Sequence, residues 1–230
     1  MIKTIEVSED FENPDPNKIE LYRRCGYMKS PNTWSELAQK RCKKPSRILD
    51  LGCGTGRIAI SLSKLGHEVI GVDANPQMLR VAKDLYPNFI GIQSRIENLN
   101  LGCKFDGVIL AALLFSYCGD SVREQIISTV IRHLKIGGWL AIEIFDLSWL
   151  EKTETIEFPN QKIICKSLDA KSLIWSVYIK HFFKDVYFVE QYNIKGFGDD
   201  DLRLYMEPKG LIVSEKIVSS PITSIHVALL

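Results

Sequence analysis

The sequence predicts an α/β fold: a doubly wound, mostly parallel sheet with a small antiparallel β cap inserted late in the chain. Three observations carry that reading. From Arg47 to Phe145, apolar runs of strand length alternate with segments of helical periodicity, the signature of consecutive βαβ units. The first of these strands runs straight into a glycine-rich turn, Gly52-Cys53-Gly54-Thr55-Gly56, and a helix follows at once. Beyond Asp146 the pattern changes to short runs rich in aromatic and β-branched residues, which suit antiparallel strands.

The elements follow in order. Residues 11–20 read as an irregular lead-in, and short helices are expected over Lys18–Tyr27 and Thr33–Cys42. Strand Arg47–Leu51 leads to helix Thr55–Leu65, and strand Glu68–Val72 to helix Pro76–Leu85, whose proline suits a first helical turn. Strands Phe89–Gln93 and Phe105–Ala111 and a helix over Ser121–Leu134 come next, and Gly137-Gly138 is expected to break the chain before strand Trp139–Phe145. The cap strands lie near Thr153–Phe158, Lys162–Leu168, Leu173–Phe182 and Tyr187–Ile194. A helix over Asp199–Glu207, stopped by Lys209-Gly210, precedes strands Leu211–Val218 and Thr223–Leu229.

This divides a single 230-residue domain into an N-terminal helical lid (1–45), a cofactor-binding core (46–146), an inserted cap (147–197) and a closing helix and strands (198–230). The insertion is too long for an ordinary connection. It reads as a cover over the carboxyl edge of the sheet, where open α/β folds bind their ligands.

Composition narrows the function classes. Hydrophobic residues make up 46% of the chain, enough for a substantial core, and the net charge is +1. That balance gives no electrostatic reason to expect a nucleic acid or membrane partner. No apolar run approaches the roughly 20 residues that span a bilayer, and Met1 to Asp10 alternates polar and apolar residues, unlike a signal peptide. The six cysteines (Cys25, Cys42, Cys53, Cys103, Cys118, Cys165) show no CxxC spacing, so no metal site is expected, and reduced thiols in a cytoplasm are the simple reading.

The glycine turn and Asp73 carry the chemistry. Glycines after a strand let a ligand lie against bare backbone amides at a helix N-terminus. Asp73 ends the next apolar run, Glu68-Val69-Ile70-Gly71-Val72; a carboxylate there is placed to accept hydrogen bonds from both hydroxyls of a ribose. Together they predict a nucleoside-containing cofactor. The G-x-G-x-x-G dinucleotide fingerprint fails when counted from Gly52, because Arg57 takes the third position, and is met only loosely from Gly54 through Gly56 and Ala59. A pyrophosphate also gains nothing from Asp50 beside the turn, since like charges repel; an NAD-linked oxidoreductase stays as the remote alternative.

The segments Asp50-Leu51-Gly52-Cys53-Gly54-Thr55-Gly56, Gly71-Val72-Asp73, Lys104-Phe105-Asp106-Gly107-Val108-Ile109 and Leu134-Lys135-Ile136-Gly137-Gly138 closely resemble the motifs of the class I S-adenosylmethionine (SAM)-dependent methyltransferases, type 11/25-like. The resemblance covers Arg47 to Phe145 firmly and the Lys209-Gly210-Leu211 region loosely. It implies a Rossmann-like seven-stranded sheet of order 3-2-1-4-5-7-6 with the last strand antiparallel, SAM as cofactor and S-adenosylhomocysteine as product. By the same resemblance Asp50 helps hold the ammonium of the methionine portion, Gly52, Cys53, Gly54 and Gly56 form the turn, Asp73 takes the ribose, Ala74 and Met78 flank the adenosine, and Ala111 leaves room for methionine.

One position departs from the family. Its usual adenine-binding acid is replaced by Arg95, in Gln93-Ser94-Arg95-Ile96-Glu97, and a guanidinium cannot accept a hydrogen bond. Adenine recognition then falls to a backbone carbonyl, to Glu97, or to Arg95 stacking on the ring, with Ile96 as the apolar edge.

The acceptor is expected to be a small molecule. The Asp/Asn-Pro-Pro-Tyr/Phe motif of the DNA-amine branch is absent after the fourth strand, and no Pro-Cys dipeptide occurs. The layout resembles the branch that includes aminosugar N-dimethyltransferases and glycine/sarcosine methyltransferases. That likeness puts Phe115, Tyr117, Trp175, Tyr187 and Tyr192 around the acceptor, with Tyr22, Arg23, Tyr27 and Trp34 as parts of a lid. Glu143, His181 and Tyr117 are the candidate catalytic groups; His133 reads as structural and His67 as solvated. No catalytic dyad is visible in the sequence, which favours an amine acceptor over a hydroxyl, because an amine needs only to be deprotonated and aimed whereas a hydroxyl needs a general base or metal assistance. A SAM-binding protein without transfer activity, or an O- or carboxyl-methyltransferase, are the alternatives, and monomer or homodimer is left open.

Overall fold

The structure is a computed structural model that describes residues 2–8, 15–26, 32–43, 45–151, 155–220 and 222–230. The chain opens with strand β1 (Lys3–Val7) and helices α1 (Pro16–Gly26) and α2 (Asn32–Arg41). The βαβ core follows: β2 (Arg47–Leu51), α3 (Arg57–Lys64), β3 (Glu68–Asp73), α4 (Pro76–Leu85), β4 (Ile90–Gln93), β5 (Phe105–Leu110), the short α5 (Leu114–Tyr117), α6 (Asp120–His133) and β6 (Leu134–Phe145). Then come α7 (Leu147–Leu150) and the cap strands β7 (Thr155–Phe158), β8 (Gln161–Asp169), β9 (Ile174–Phe182) and β10 (Val186–Lys195). Helix α8 (Asp199–Met206) and strands β11 (Ile212–Val218) and β12 (Thr223–Leu229) close the chain.

The central sheet runs β4-β3-β2-β5-β6-β12-β11. Counted along the chain within that sheet, this is the expected order 3-2-1-4-5-7-6. Strand β12 is antiparallel to both β6 and β11, while β2 through β6 pair in parallel. The central strands are buried on both faces, as parallel strands between helices must be: Ile48, Leu49, Val108, Ile109, Leu110, Leu140, Ala141 and Ile142 are all fully buried. Helices α3 and α6 cover opposite faces through Ile58, Ala59 and Leu62 and through Ile126, Ile127 and Val130. Gly107 is required where it stands, because the Trp139 ring crosses it and a Cβ would sit 2.3 Å from Trp139 Cε2.

Four local expectations are corrected. Gly137-Gly138 does not break the chain; β6 runs through the pair with a register shift opposite Phe105/Gly107, and Gly137 donates to the carbonyl of the C-terminal Leu230 at 2.9 Å. The segment after β5, for which the sequence predicts no element, forms the short α5. His67 is buried, not solvated. The N-terminal residues are not wholly helical: β1 joins the cap sheet, whose order is β1-β10-β9-β8-β7, and pairs in parallel with β10. Helix α1 lies across the carboxyl ends of the core strands, where its Lys18 and Tyr22 face Gly52, Gly54 and Asp73.

Candidate functional site

Two cavities lie at the carboxyl edge of the central sheet. The first, of about 380 Å³, is lined by Gly52, Gly54, Asp73, Ala74, Met78, Ser94, Arg95, Ile96, Glu97, Ala111 and Tyr117, with Lys18 and Tyr22 of α1 over it. The second, of about 360 Å³, lies under the cap and is lined by Cys25, Trp34, Arg57, Glu143, Gln161, His181 and Ser219 among others. Tyr22 and Ala112 line both, so the cavities meet there.

The first cavity is built mainly from backbone. Gly52, Gly54 and Gly56 all have positive φ (72°, 53° and 78°), which L side chains rarely adopt. At Gly54 a Cβ would meet nothing within 4 Å, whereas at Gly52 it would press on Leu114 Cδ2 at 2.9 Å. The turn thus presents backbone free of side chains to the cavity at Gly54 and packs against α5 at Gly52. Asp73 fastens the turn: its Oδ2 accepts the Gly54 N–H at 2.8 Å and its Oδ1 the Asn75 N–H at 2.9 Å. A carboxylate has about four acceptor positions, so one on each oxygen remains for a ribose diol. Burial raises the Asp73 carboxyl above its ordinary value, opposed by those two N–H bonds and by the charge of Lys18.

Asp50 lies beneath the turn at 1% exposure and lines neither cavity. Its Oδ2 accepts the Ala59 N–H of α3 at 3.2 Å. Burial pushes its carboxyl up to about 7, with the neighbouring Asp73 adding to the rise and Arg57 and the Ala59 N–H opposing it. Cys53 and Gly56 likewise support the turn from behind; Cys53 is buried against Gly71. Arg95 does reach the cavity wall, but its Nε donates to Glu97 Oε1 at 2.6 Å, so the departure from an acid is compensated by an acid two residues on.

Between the cavities the backbone is strained. Ala112 and Leu113 have φ of 54° and 62°, a left-handed pair that costs a non-glycine residue roughly 1–2 kcal/mol each. Glu143, at the end of β6, holds this turn: its Oε2 accepts the Ala112 N–H at 3.0 Å and its Oε1 the Ser219 hydroxyl at 3.4 Å. Arg123 of α6, 2% exposed, secures the following turn by donating from Nε to the Phe115 carbonyl at 2.9 Å and from Nη2 to the Cys118 carbonyl.

The aromatic candidates separate sharply. Tyr22 and Tyr117 line the site. Phe115 does not: it is fully buried against Phe197 and Tyr205. Trp175 belongs to the cap's own core, packed over Gly196. Tyr192 is buried behind the acceptor cavity, its ring 4.7 Å from that of Tyr117 and its hydroxyl donating to Glu190. Tyr27 lies outside the described residues. Sequence reading also missed Lys18 and Glu190; Lys18 had a signal, since it falls one helical turn before Tyr22, and Glu190 had none.

A family model described as a methyltransferase domain matches residues 48–138. Over that stretch the resemblance to the class I SAM-dependent methyltransferases is borne out. The chain is 32% identical over 160 residues to a putative methyltransferase of a Geobacillus species, a match that covers 64% of this chain and 62% of that one. It therefore spans about three-fifths of the length of such a curated relative. Its fold is similar to that of a SAM-dependent methyltransferase from Clostridium acetobutylicum (TM-score 0.72, 18% identity, 93% of this chain and 98% of that one). It is also similar to that of the sugar N-methyltransferase KedS8 from a Streptoalloteichus species (TM-score 0.67, 16% identity, 97% and 95%). The cofactor of the family is SAM, and the first cavity fits it: open backbone at Gly54, a carboxylate with two acceptor positions left, and an apolar wall from Met78 and Ile96. Among the described residues no helix is long and apolar enough to cross a membrane.

Proposed function

We propose that this protein transfers a methyl group from SAM to a small-molecule acceptor in the cap cavity, and that the attacking atom is an amine nitrogen. The junction of the two cavities at Tyr22 and Ala112 carries the reading, because a displacement in line needs donor and acceptor compartments that meet at one point. Bound SAM supplies an electrophilic methyl group and its own leaving group. The chain supplies the rest. Asp73 and the glycine turn fix the nucleoside half, Tyr22 and Tyr117 screen the junction from water, and the Glu143-held turn sets the passage between cavities. The cap cavity carries the carboxylate of Glu143, which suits a cationic amine, and the similarity to a sugar N-methyltransferase supports the same choice. A hydroxyl acceptor is the second reading: the buried His181–Glu190 pair would serve to deprotonate a hydroxyl as well as an alkylammonium. In this reading the protein acts in solution on free small molecules, in a cytoplasm, without nucleic acid or membrane.

Calorimetric titration with SAM, S-adenosylhomocysteine and NAD, followed by measurement of S-adenosylhomocysteine release across amine, hydroxyl and carboxylate acceptors, tests this. Micromolar binding of the two adenosyl compounds with release confined to amines is the expected result. Binding of both without release from any acceptor would mark a SAM-binding protein instead, and NAD binding would displace the reading altogether.

A further inference from the structure

Inside the cap cavity four strands and helices bring together groups that lie far apart in sequence. On the inward face of the cap sheet, Gln161 of β8 pairs with His181 of β9, and His181 with Phe188 of β10. Glu190 and Tyr192 follow Phe188 on that same face at a period of two. Cys25 arrives from α1. The result is a hydrogen-bonded line: the Tyr192 hydroxyl donates to Glu190 Oε1, Glu190 Oε2 lies 2.7 Å from His181 Nε2, and His181 Nδ1 faces the Gln161 amide at 3.4 Å and Cys25 Sγ at 3.6 Å. Glu190 is 4% exposed, and neither it nor Tyr192 lines the cavity, whereas Gln161, Cys25 and His181 do. The line therefore points from the interior of the cap toward the acceptor.

The two ring nitrogens are held unequally. A carboxylate only accepts, so the Nε2 facing Glu190 carries the hydrogen, and Nδ1 presents its lone pair on the cavity side to two long, weak donors. His133 provides the contrast of a structural histidine: its Nδ1 meets the Thr129 carbonyl at 2.8 Å and its Nε2 accepts the Leu101 N–H at 3.0 Å, both short and both within the core. We propose that His181 is the general base that takes the acceptor's proton at Nδ1, and that Glu190 is the residue that positions and polarises it. The proposal rests on the methyl-transfer reading given above. As the bond from the acceptor atom to the methyl carbon forms, the carbon–sulfur bond breaks with its electrons passing to sulfur. The acceptor's proton goes to Nδ1. One positive charge is lost at the sulfonium and one is gained on the imidazole, where the buried carboxylate of Glu190 stands 2.7 Å away to balance it.

The test combines a spectroscopic and a kinetic arm. In the protein labelled with ¹⁵N-histidine and loaded with S-adenosylhomocysteine, His181 should show the tautomer protonated at Nε2 and bare at Nδ1, and E190Q should change that ratio. A proton found on Nδ1 overturns the proposal whatever the kinetics. For turnover, H181N is compared with the wild type on two amines: one an alkylammonium at the assay pH, the other already neutral. The general-base role requires a loss of about 100-fold on the alkylammonium, under tenfold on the neutral amine, and recovery on the alkylammonium as pH rises. E190Q should lose about tenfold with the same selectivity. Among the described residues, the titratable and charged groups that face the imidazole or share its cavity are Tyr22 and Cys25 from α1, Glu190 and Tyr192 from β10, and Arg57 and Glu143 across the cavity. Unchanged S-adenosylhomocysteine affinity shows that the variants are folded. Equal losses on both amines would overturn the base while leaving methyl transfer intact. No release by the wild type from any acceptor would overturn the methyl-transfer reading, and the base with it.

Discussion

The cofactor cavity and the acceptor cavity are nearly equal in size, yet they are built in opposite ways. The first is drawn mainly from short stretches at the ends of consecutive core strands: Gly52 and Gly54, Asp73 to Asn75, Ser94 to Glu97, and Ala111 and Ala112. Its shape is set largely by backbone, with positive-φ glycines and one carboxylate tying two amides. The second gathers isolated side chains from α1, α2, α3, β6, β8, β9 and the 219–223 turn. A backbone-built site must recur as a motif, because its geometry depends on neighbours in sequence. A side-chain-built site depends on sheet register and on which helix lies across it, and can change its acceptor without touching the fold.

That difference implies distinct responses to mutation. The largest concerns Asp50, the floor of the cofactor half. Burial raises its carboxyl from 3.8 to about 7. A folded-state value above the unfolded one means that the folded protein holds the extra proton between those limits. The stability contributed by neutral Asp50 is therefore complete below about pH 4 and lost as pH rises through about 7. Denaturant unfolding of the wild type and of Asp50→Asn across pH 4 to 8 should show the wild type losing ground by up to about 4 kcal/mol. Parallel curves would mean that the floor of the turn is hydrated and the cavity less rigid than its geometry implies.

Asp73→Ala comes next. It removes the acceptor for the Gly54 and Asn75 amides as well as the ribose contact proposed for it, so S-adenosylhomocysteine affinity should fall by about 3 kcal/mol, more than a hundredfold. Affinity within threefold of wild type would detach the glycine turn from the cofactor. Glu143→Gln should act on the other side of the junction only. The amide keeps one acceptor for the Ala112 N–H but turns a donor toward Ser219. Turnover should fall about tenfold, roughly 1.4 kcal/mol, with S-adenosylhomocysteine affinity changed less than threefold. An equal loss in affinity would show that the two cavities are one.

The same contrast explains what was legible beforehand. Helix Pro76–Leu85 and strands Arg47–Leu51 and Thr223–Leu229 coincide with expectation because proline, glycine and uninterrupted apolar runs mark their limits locally. The strand order and the lining by Gly52, Gly54, Asp73, Ala74, Met78, Arg95, Ile96, Glu97 and Ala111 follow from motifs at strand ends. Strand β1 was readable in the alternation of Ile2 to Val7, but pairing with β10, far along the chain, was not. The family likeness puts Phe115 and Trp175 around the acceptor, but an aromatic ring serves a core as readily as a pocket. Glu190 reads as an ordinary strand glutamate until register sets it diagonally across from His181.

The smallest effect tests the junction itself. Ala112 holds a φ of 54° that glycine adopts freely. Ala112→Gly relieves roughly 1–2 kcal/mol of strain and gives back roughly 0.5–1 kcal/mol through the greater freedom of the unfolded chain. Stability should therefore rise by between about 0 and 1.5 kcal/mol, raising the melting temperature by about 3–6 °C at most. Turnover should fall over the same substitution, because the stiff left-handed pair Ala112–Leu113 keeps the passage between cavities in one shape while Glu143 grips only its first amide. A variant that gains stability and keeps full turnover would show that the strain is incidental to the passage. One that loses stability would show that the Ala112 methyl packs at the junction and contributes more than its backbone costs.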